Sequence, residues 1–195
     1  MTKEIVIQEE GHALRKIVAG LFISLDGVVD SPENSPHRWT SDEMMDRMAN
    51  GIAQADTVLV GSSTYSLLAQ FWQYESDTEP MARFLNHSHK YVVSRSMHEL
   101  EWQPASLITG DLVQELTRLK QQPGKNIQIP GSPRLVRLLL REGLLDEFTL
   151  HICPVVVGSG MRLFDEINAP LKLTLVDSTL YRNGVLGVTY RTSRN

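Results

Sequence analysis

The pattern of apolar and polar positions changes along the chain. In the first part, short apolar runs alternate with segments in which apolar residues recur at helical spacing, and near the end apolar runs follow one another directly. Five runs rich in aliphatic and β-branched residues are typical of buried strands: Lys16–Ile23, Thr57–Val60, Lys90–Val93, Ser106–Ile108 and Ile127–Ile129. Apolar residues at helical spacing predict helices at Asp42–Gln54 behind a Ser41 cap, from Gly61 through Leu68, at Glu79–His87, at Leu112–Gln121 and from Pro133. Strands that alternate with helices favour an α/β fold with a mainly parallel sheet.

The last third of the chain predicts antiparallel strands instead. In Phe148–Cys153, bulky apolar residues alternate with smaller or polar ones, which is typical of a half-buried strand. Leu171–Tyr181 and Val185–Arg191 are joined through Asn183-Gly184, a strong hairpin signal. We therefore predict a mixed, mainly parallel central sheet with an antiparallel C-terminal hairpin. Residues 1–14 are polar and aperiodic, and we expect them to be an extension of a single domain at 15–195.

Composition restricts the class of protein. The chain has 195 residues, 42% hydrophobic and 22% charged, which are ordinary values for one globular domain. A net charge of −4 without any cluster of lysine and arginine argues against a nucleic-acid partner. The single cysteine, Cys153, excludes an intramolecular disulfide and a cysteine-rich zinc site, and the histidines form no metal-binding motif. Because no membrane span or signal peptide is recognisable, we expect a cytoplasmic protein without membrane contact.

Two turns between a strand and a helix have the composition of a phosphate-binding site. Gly131 follows the strand at Ile127–Ile129 and permits close backbone approach, while Ser132 suits the helix cap and Pro133 its first position. Gly61-Ser62-Ser63-Thr64 repeats this arrangement after another strand. The unpaired N–H groups and positive dipole at such a helix start attract phosphate, but the same residues are also ordinary turn and cap residues. The residues alone leave both interpretations open.

Further polar and aromatic residues lie where predicted strands end, and strand ends are where α/β sheets bind ligands. In Ser94-Arg95-Ser96 the arginine fork suits a 2′-phosphate, or it is a surface arginine. Asp26, two residues after Ser24, could accept hydrogen bonds from a substrate amine, or cap backbone N–H groups of its own turn. Gly158 either admits a cofactor ring or bends a strand, and Trp39 either stacks on a flat heterocycle or packs in the core.

Four blocks of sequence resemble the dihydrofolate reductase-like superfamily, and within it the reductase domain of bacterial riboflavin-biosynthesis deaminase-reductases. The blocks are FISLDGVV at Phe22–Val29, VLVGSSTY at Val58–Tyr65, YVVSRS at Tyr91–Ser96 and PGSPRLVRLLLREGLLDEFTLHICPVVVGSGMRLF at Pro130–Phe164. They occur in the family's order between about Ile17 and Tyr190, and the last is long and specific. The resemblance implies a three-layer dihydrofolate reductase-like fold and hydride transfer from NADPH to a small pyrimidine- or pterin-like heterocycle.

The resemblance also implies roles for individual residues. It assigns the pyrophosphate to the two glycine turns and the adenosine 2′-phosphate to Arg95, so NADPH is favoured over NADH. The implied cofactor-binding set is Gly61, Ser62, Thr64, Ser94, Arg95, Gly131, Ser132, Pro133, Arg134 and Gly158. Ser24, Asp26 and Trp39 would face the substrate, with Asp26 as the candidate catalytic residue and water as the proton donor. Related proteins commonly pair through sheet edges or late strands, so we expect a homodimer.

The chain departs from the family pattern at three places. The family's Gly-Arg-x-Thr turn has Ser62 instead of the arginine, a loss on the order of 1.5–3 kcal/mol of charge-assisted cofactor binding. Gly20 occupies the position of a lysine common in riboflavin-pathway reductases. Met45, flanked by Asp42 and Asp46, lies nearest the acidic residue of dihydrofolate reductases, so efficient dihydrofolate reduction is not expected. Two alternatives therefore stay open: a ligand-binding homodimer without turnover, and a dimeric scaffold without a cofactor site.

Overall fold

A single eight-stranded sheet forms the centre of the computed structural model, which describes residues 14–167 and 169–193. The strands are β1 Ile17–Ser24, β2 Ala55–Gly61, β3 His89–Val93, β4 Ala105–Ile108, β5 Asn126–Pro130, β6 Glu147–Cys153, β7 Leu173–Leu180 and β8 Leu186–Thr192. The helices are α1 Pro36–Trp39, α2 Asp42–Ile52, α3 Ser62–Trp72, α4 Pro80–His87, α5 Leu112–Gln121 and α6 Pro133–Arg141. Residues 1–13, most of the predicted extension, lie outside the described residues.

The strand order confirms the predicted mixed sheet. The strands lie in the order β4-β3-β2-β5-β1-β6-β8-β7, and all neighbouring pairs from β4 to β6 are parallel. The β8 strand pairs antiparallel with both β6 and β7, so the predicted Asn183-Gly184 hairpin forms the edge of the sheet. Because β2, β5, β1 and β6 are adjacent and parallel, the segments that follow them emerge at the same edge.

Helices cover both faces of the sheet and give the fold three layers. The α5 and α6 helices pack on one face, where Leu116 and Leu139 meet the inward residues of β1, such as Ile17. Each fully buried leucine of this kind contributes roughly 1.5–3 kcal/mol. The α3 and α4 helices pack on the opposite face, against Val58 and Val92. The α2 helix lies on that same side, since Phe22, which alternates with the α5–α6 residues of β1, belongs to its cluster.

Most predicted elements are present, with shifts at their ends. The α5 helix has the predicted bounds, and Gly143, with φ 65°, follows α6 in the left-handed conformation expected of it. The helix predicted to end at Leu68 continues to Trp72, because residues 69–72 contain no helix breaker. The segment predicted as loop between β1 and α2 contains a 3-10 turn at Pro32–Asn34 as well as α1. Among the described residues, no helix has both the length and the apolar character needed to cross a membrane.

The long loop after β6 is fixed to the body of the protein by a buried arginine. The Arg137 guanidinium on α6 donates to the carbonyl oxygens of Arg162 at 2.6 Å and Leu163 at 3.2 Å, and pairs with Glu166 at 3.1 Å. Val28 forms an isolated bridge with Arg162 from the other side. These contacts hold the loop against the segment that follows β1, beside the carboxyl edge of the sheet.

Candidate functional site

The two predicted phosphate-binding turns lie side by side, because β2 and β5 are neighbours in the sheet. The Gly61 N–H, at the end of β2, donates to the Ser132 hydroxyl, at the start of α6, over 3.1 Å. A β-carbon built on Gly131 would lie 3.7 Å from the Thr64 methyl group, so the turns are in contact. Neither α3 nor α6 has a side-chain cap, and first-turn N–H groups have no partner within their helix. The two turns therefore form one continuous surface suited to an anion.

Ser132 is the N-cap residue of α6 as predicted, but its side chain makes no capping hydrogen bond to the helix. Gly131 and Ser132 both have left-handed backbone, with φ of 85° and 56°, and the Ser132 hydroxyl accepts from Gly61 instead of from its own helix. The Gly131 N–H is also engaged, by the carbonyl oxygen of Gly20 at 3.1 Å. Pro133 is the first helical residue as predicted and has no N–H. At this turn, the candidate donors to an anion are therefore the N–H groups of Ser132 and Arg134.

Arg95 lies at the same edge of the sheet as these turns. It follows β3 by two residues, and the last residue of β3, Val93, is the register partner of Gly61. The side chain of Arg95 is exposed, whereas Ser94 is buried and its hydroxyl accepts from the N–H groups of Ser96 and Met97. A serine hydroxyl that accepts in this way still has its own proton to donate. The two residues are thus placed to contact one end of an elongated anionic ligand.

Asp26 holds the loop after β6 in place. Its carboxylate accepts from the N–H groups of Val157 at 3.0 Å and Gly158 at 2.9 Å, from the Ser24 hydroxyl at 2.7 Å and from Arg162 at 3.3 Å. The Val157 N–H, followed by the Ser24 hydroxyl and the Gly158 N–H, holds the Asp26 pKa well below its usual range. This geometry favours a structural role for Asp26 over general acid catalysis, but the backbone N–H groups that it accepts from belong to the loop after β6 and not to its own turn. Gly158 and Ser24, which were predicted to contact the cofactor and the substrate, both donate hydrogen bonds to Asp26 within the protein.

A cavity of about 370 Å³ opens between α2 and the sheet. Its floor consists of residues from β1, β5 and β6 that face α2, among them Gly20, Gln128, Thr149 and His151. A β-carbon built on Gly20 would meet only the Gln128 amide nitrogen, at an ordinary 3.9 Å, so the glycine leaves the floor open. The volume is that of a site for a small molecule, and Pro130 connects the floor to the glycine turn of β5.

The α2 helix turns a different face to this cavity than predicted. Met45 is not among the lining residues; Arg47, Met48 and Gly51 line it instead, while Met44 is fully buried beneath the helix. Three acidic residues of α2 are exposed to solvent: Asp42, Glu43 and Asp46. Asp42 and Glu43 lie in the first turn, where the helix dipole favours negative charge. No carboxylate of α2 lines the cavity.

The aromatic candidates have mainly packing roles. Trp39 packs against the cluster of Met44, Tyr181 and Val185, and its indole N–H donates to a carbonyl oxygen of the neighbouring turn. It therefore lies beside the cavity, whose wall includes Tyr181, without being one of its lining residues. Trp72 belongs to the core between α3, α4 and the sheet. These positions favour packing for Trp72 and an indirect contribution to the cavity for Trp39.

His151 and Thr149 are cavity residues that the sequence did not single out. The only sequence signal for them is their place in the alternating run of β6, on the side opposite Phe148 and Leu150. That side was predicted to face solvent, but the rings of Phe22 on β1 and Tyr181, between β7 and β8, lie beside His151, which is 5% exposed. The two positions were missed because their burial depends on elements distant in sequence.

Comparisons with known proteins agree with this fold. The chain matches the family described as RibD C-terminal domain over residues 15–186. The uncharacterized protein YyaP of Bacillus subtilis (strain 168) is 32% identical over 179 residues, which are 90% of this chain and 94% of that protein. The Thermotoga maritima diaminohydroxyphosphoribosylaminopyrimidine deaminase/5-amino-6-(5-phosphoribosylamino)uracil reductase has a TM-score of 0.64 at 13% identity, over 92% of this chain and 57% of that protein. Dihydrofolate reductase from Enterococcus faecalis complexed with NADP(H) has a TM-score of 0.61 at 13% identity, over 91% and 96% of the two chains. At these identities the two structures show a shared fold alone.

Proposed function

We propose that this chain, which belongs to the family of RibD C-terminal domains, is an NADPH-dependent reductase of a small, flat heterocycle. The observation that carries the proposal is the joined pair of glycine turns on β2 and β5, beside a cavity between α2 and the sheet. The structural neighbours named above include a uracil reductase and a reductase complexed with NADP(H), which is consistent with a nicotinamide cofactor.

The described residues fit a dinucleotide along the carboxyl edge of the sheet. The N–H groups at the starts of α3 and α6 would hold the pyrophosphate, with Thr64 and Ser132 at the centre of that surface. The Arg95 guanidinium and the Ser94 hydroxyl would bind the 2′-phosphate, since a planar fork pairs with two phosphate oxygens. When bound, NADPH supplies the hydride, and the protein contributes binding and orientation.

The cavity would hold the substrate and exclude bulk water from part of its surface. Its three charged lining residues are already paired within the protein: Arg47 with Asp177, and Glu147 with both Lys16 and Arg191. Since Asp26 is kept ionised by its hydrogen bonds, we expect water to supply the proton that accompanies hydride transfer. The substrate would then be reduced at a C=N or C=O bond.

Ser62 favours a second candidate function, a ligand-binding homodimer that has lost turnover. A serine at this position removes the charge-assisted contact that the family's arginine makes in the turn after β2. This alternative predicts that NADPH binds but that no pterin, pyrimidine or quinone is reduced. Both functions use the same cofactor surface, so a binding experiment tests that surface and a substrate screen separates them.

The decisive experiment is calorimetric titration of the wild-type chain and Arg95→Ala with NADPH and NADH. We expect micromolar NADPH affinity, weaker NADH affinity, and a loss of NADPH affinity of about tenfold or more in Arg95→Ala with little change for NADH. Arg118→Ala, which removes an exposed arginine on α5 that pairs with Glu115 of the same helix, is the matched control and should bind like wild type. If neither dinucleotide binds the wild-type chain, the cofactor surface is not functional and the reductase proposal is wrong.

A further inference from the structure

The imidazole of His151 is a buried polar group that the proposed reaction does not yet use. The residue is 5% exposed, and its Nδ1 has no hydrogen-bond partner in the part of the chain that the structure describes. Nearly all buried side-chain nitrogens and oxygens in proteins are paired, so an unpaired one requires an explanation. His151 lines the cavity between α2 and the sheet, so a ligand in that cavity lies against its imidazole ring and can hydrogen-bond it.

The ring of His151 is held by aromatic neighbours. Phe22 lies against it with ring centroids 4.8 Å apart and planes tilted by 33°, and the Tyr181 ring lies 6.3 Å away. Burial lowers the pKa of His151 to about 4, so the imidazole is neutral near pH 7. A neutral imidazole has one N–H donor and one bare nitrogen acceptor, whichever tautomer is present. The site thus offers a donor and an acceptor without net charge.

The other polar groups of the cavity also favour an uncharged ligand. The Thr149 hydroxyl is bonded to the Thr189 hydroxyl at 2.8 Å, which fixes it to the wall. The lining charges of Arg47 and Glu147 each have an opposite charge beside them, as described above. Gln128, an uncharged amide, lies on the same floor next to Gly20. A ligand with its own net charge would have to compete with these existing ion pairs for a partner.

We propose that His151 is the specificity-determining residue of the cavity, and that it hydrogen-bonds the uncharged polar edge of a flat heterocycle. The ligand edge carries a ring N–H or a carbonyl group. The His151 imidazole hydrogen-bonds this edge, and the Phe22 ring packs against the imidazole. This inference deepens the proposed function and rests on it, because the ligand would be the molecule that the reductase reduces. A histidine that only fills space beside Phe22 is the opposing explanation, and it predicts no response of the ring nitrogens to any ligand.

The test uses the full chain with ¹⁵N-labelled histidine rings and three two-ring probes of similar shape. Pteridine-2,4-dione has N–H and carbonyl groups on its edge, quinoxaline has only bare nitrogens, and quinoxaline-2-carboxylate adds a charge. At a pH at which the dione is uncharged, we expect it to shift the His151 Nδ1 resonance and to bind about tenfold more tightly than either quinoxaline. His151→Phe, which keeps a flat ring without nitrogens, should abolish this preference, and His151→Gln should retain part of it.

His89→Phe is the matched control, since His89 is a half-buried histidine on β3 whose ring nitrogen contacts only the Ser106 hydroxyl in the described structure. It should leave the preference among the probes unchanged. Equal affinity of the wild type for dione and quinoxaline, or a His151 resonance that no probe moves, overturns the inference. NADPH titration of the wild-type chain keeps the two proposals distinct: NADPH binding that persists while His151 fails to respond rejects the inference alone, whereas a wild-type chain that does not bind NADPH rejects the proposed function.

Discussion

At the scale of single residues, three ionisable groups differ in whether the fold favours their charged form. The Asp26 carboxylate receives four hydrogen bonds and stays ionised. Lys90 is fully buried; its ammonium donates to the carbonyl oxygens of Leu85 at 2.7 Å and Ser88 at 3.2 Å and lies 4.6 Å from the Trp102 ring centroid. Burial lowers the pKa of Lys90 to about 8 and raises that of the Cys153 thiol to about 11. Asp26 therefore strengthens the fold as a charged group, whereas the charge on Lys90 weakens it.

Replacement of Asp26 by asparagine should release the loop after β6. Val157 and Gly158 donate to different oxygens of the carboxylate, and the amide keeps only one acceptor oxygen, so its NH2 group faces and repels one of these two N–H groups. We expect a lower melting temperature at neutral pH and faster hydrogen exchange at these two amides. Because the folded pKa is depressed, the stabilisation is present above pH 3.8 and is lost on further acidification, so the variant's deficit should shrink in acid. Asp30→Asn, which affects the hydrogen bond that the Met161 N–H donates to this carboxylate, should have a smaller effect, and equal effects would contradict the assignment.

Replacement of Lys90 by methionine should change how stability depends on pH. With a folded pKa near 8 and an unfolded value of 10.5, the unfolded chain binds more protons between these pH values. Stability of the wild type should therefore rise with pH in that window, by at most about 1.4 kcal/mol per pH unit, and Lys90→Met should lack this term. The Cys153 thiol contributes in the opposite direction between pH 9 and 11, so the quantity to measure is the difference between variant and wild type.

Urea unfolding of both proteins from pH 7.5 to 10.5 gives this difference directly. The free energy of unfolding of Lys90→Met relative to wild type should fall as pH rises. A difference that stays constant over the window would show that the pKa of Lys90 is not lowered in the folded chain. Lys125→Met removes an exposed lysine whose ammonium group donates to the Ala53 carbonyl oxygen, and it should behave like wild type.

At the scale of secondary-structure elements, the cofactor surface depends on the contact between the starts of α3 and α6. Each turn by itself resembles many strand-to-helix connections. The Ser132 hydroxyl joins them by accepting from the Gly61 N–H, and the left-handed backbone of Ser132 is what directs the hydroxyl there. A residue that is strained in order to position a neighbouring turn is a recurring feature of binding sites.

Ser132→Ala and Ser132→Gly should separate the hydrogen bond from the backbone strain. Both lose the bond to Gly61, which we expect to weaken NADPH binding by about fivefold to tenfold and to reduce stability by about 1 kcal/mol. Glycine adopts a φ of 56° without strain, so Ser132→Gly should recover about 1 kcal/mol of stability relative to Ser132→Ala but not the affinity. Calorimetry and urea unfolding measure the two quantities, with Ser63→Ala on the exposed side of α3 as the control.

The sequence predicted elements better than it predicted contacts between them. The bounds of α5 and the Asn183-Gly184 hairpin follow from local spacing and turn chemistry, so they could be read from the residues. The adjacency of the two turns followed only from the resemblance, because strand order is not a local property. The face of α2, the direction of the Ser132 hydroxyl and the burial of His151 depend on distant segments, and all three were mispredicted or missed.

At the scale of the whole molecule, the antiparallel edge is the most apolar exposed region of the sheet. The β7 strand is exposed along most of its length, and Leu180 and Leu186 are register partners on this hairpin with 75% and 38% exposure. Leu175 and Val176 on the same strand are also exposed. Edge strands with apolar side chains are usually protected by pairing or by coverage. This surface is consistent with the homodimer expected from the resemblance.

Leu180→Glu should therefore convert a dimer into a monomer. A charged side chain on the apolar hairpin cannot be buried at an interface without a partner. Light scattering on the eluting protein should give twice the 22.0 kDa chain mass for the wild type and one chain mass for the variant. Leu67→Glu, which changes a leucine of similar kind on α3 with 54% exposure, should leave the dimer intact. A wild-type chain that elutes as a monomer would contradict this prediction.

Gly20 is a position at which a reactive side chain can be introduced into the cavity. The space around this position admits a β-carbon with only an ordinary contact to Gln128, and Gly20 does not have the left-handed backbone that would favour glycine. The chain's single cysteine, Cys153, is buried with a thiol pKa near 11, so it reacts slowly with disulfides and alkylating agents. Gly20→Cys would therefore place one reactive thiol on the cavity floor. Covalent fragment capture at that thiol would then select ligands by their fit to the cavity, whatever the substrate is.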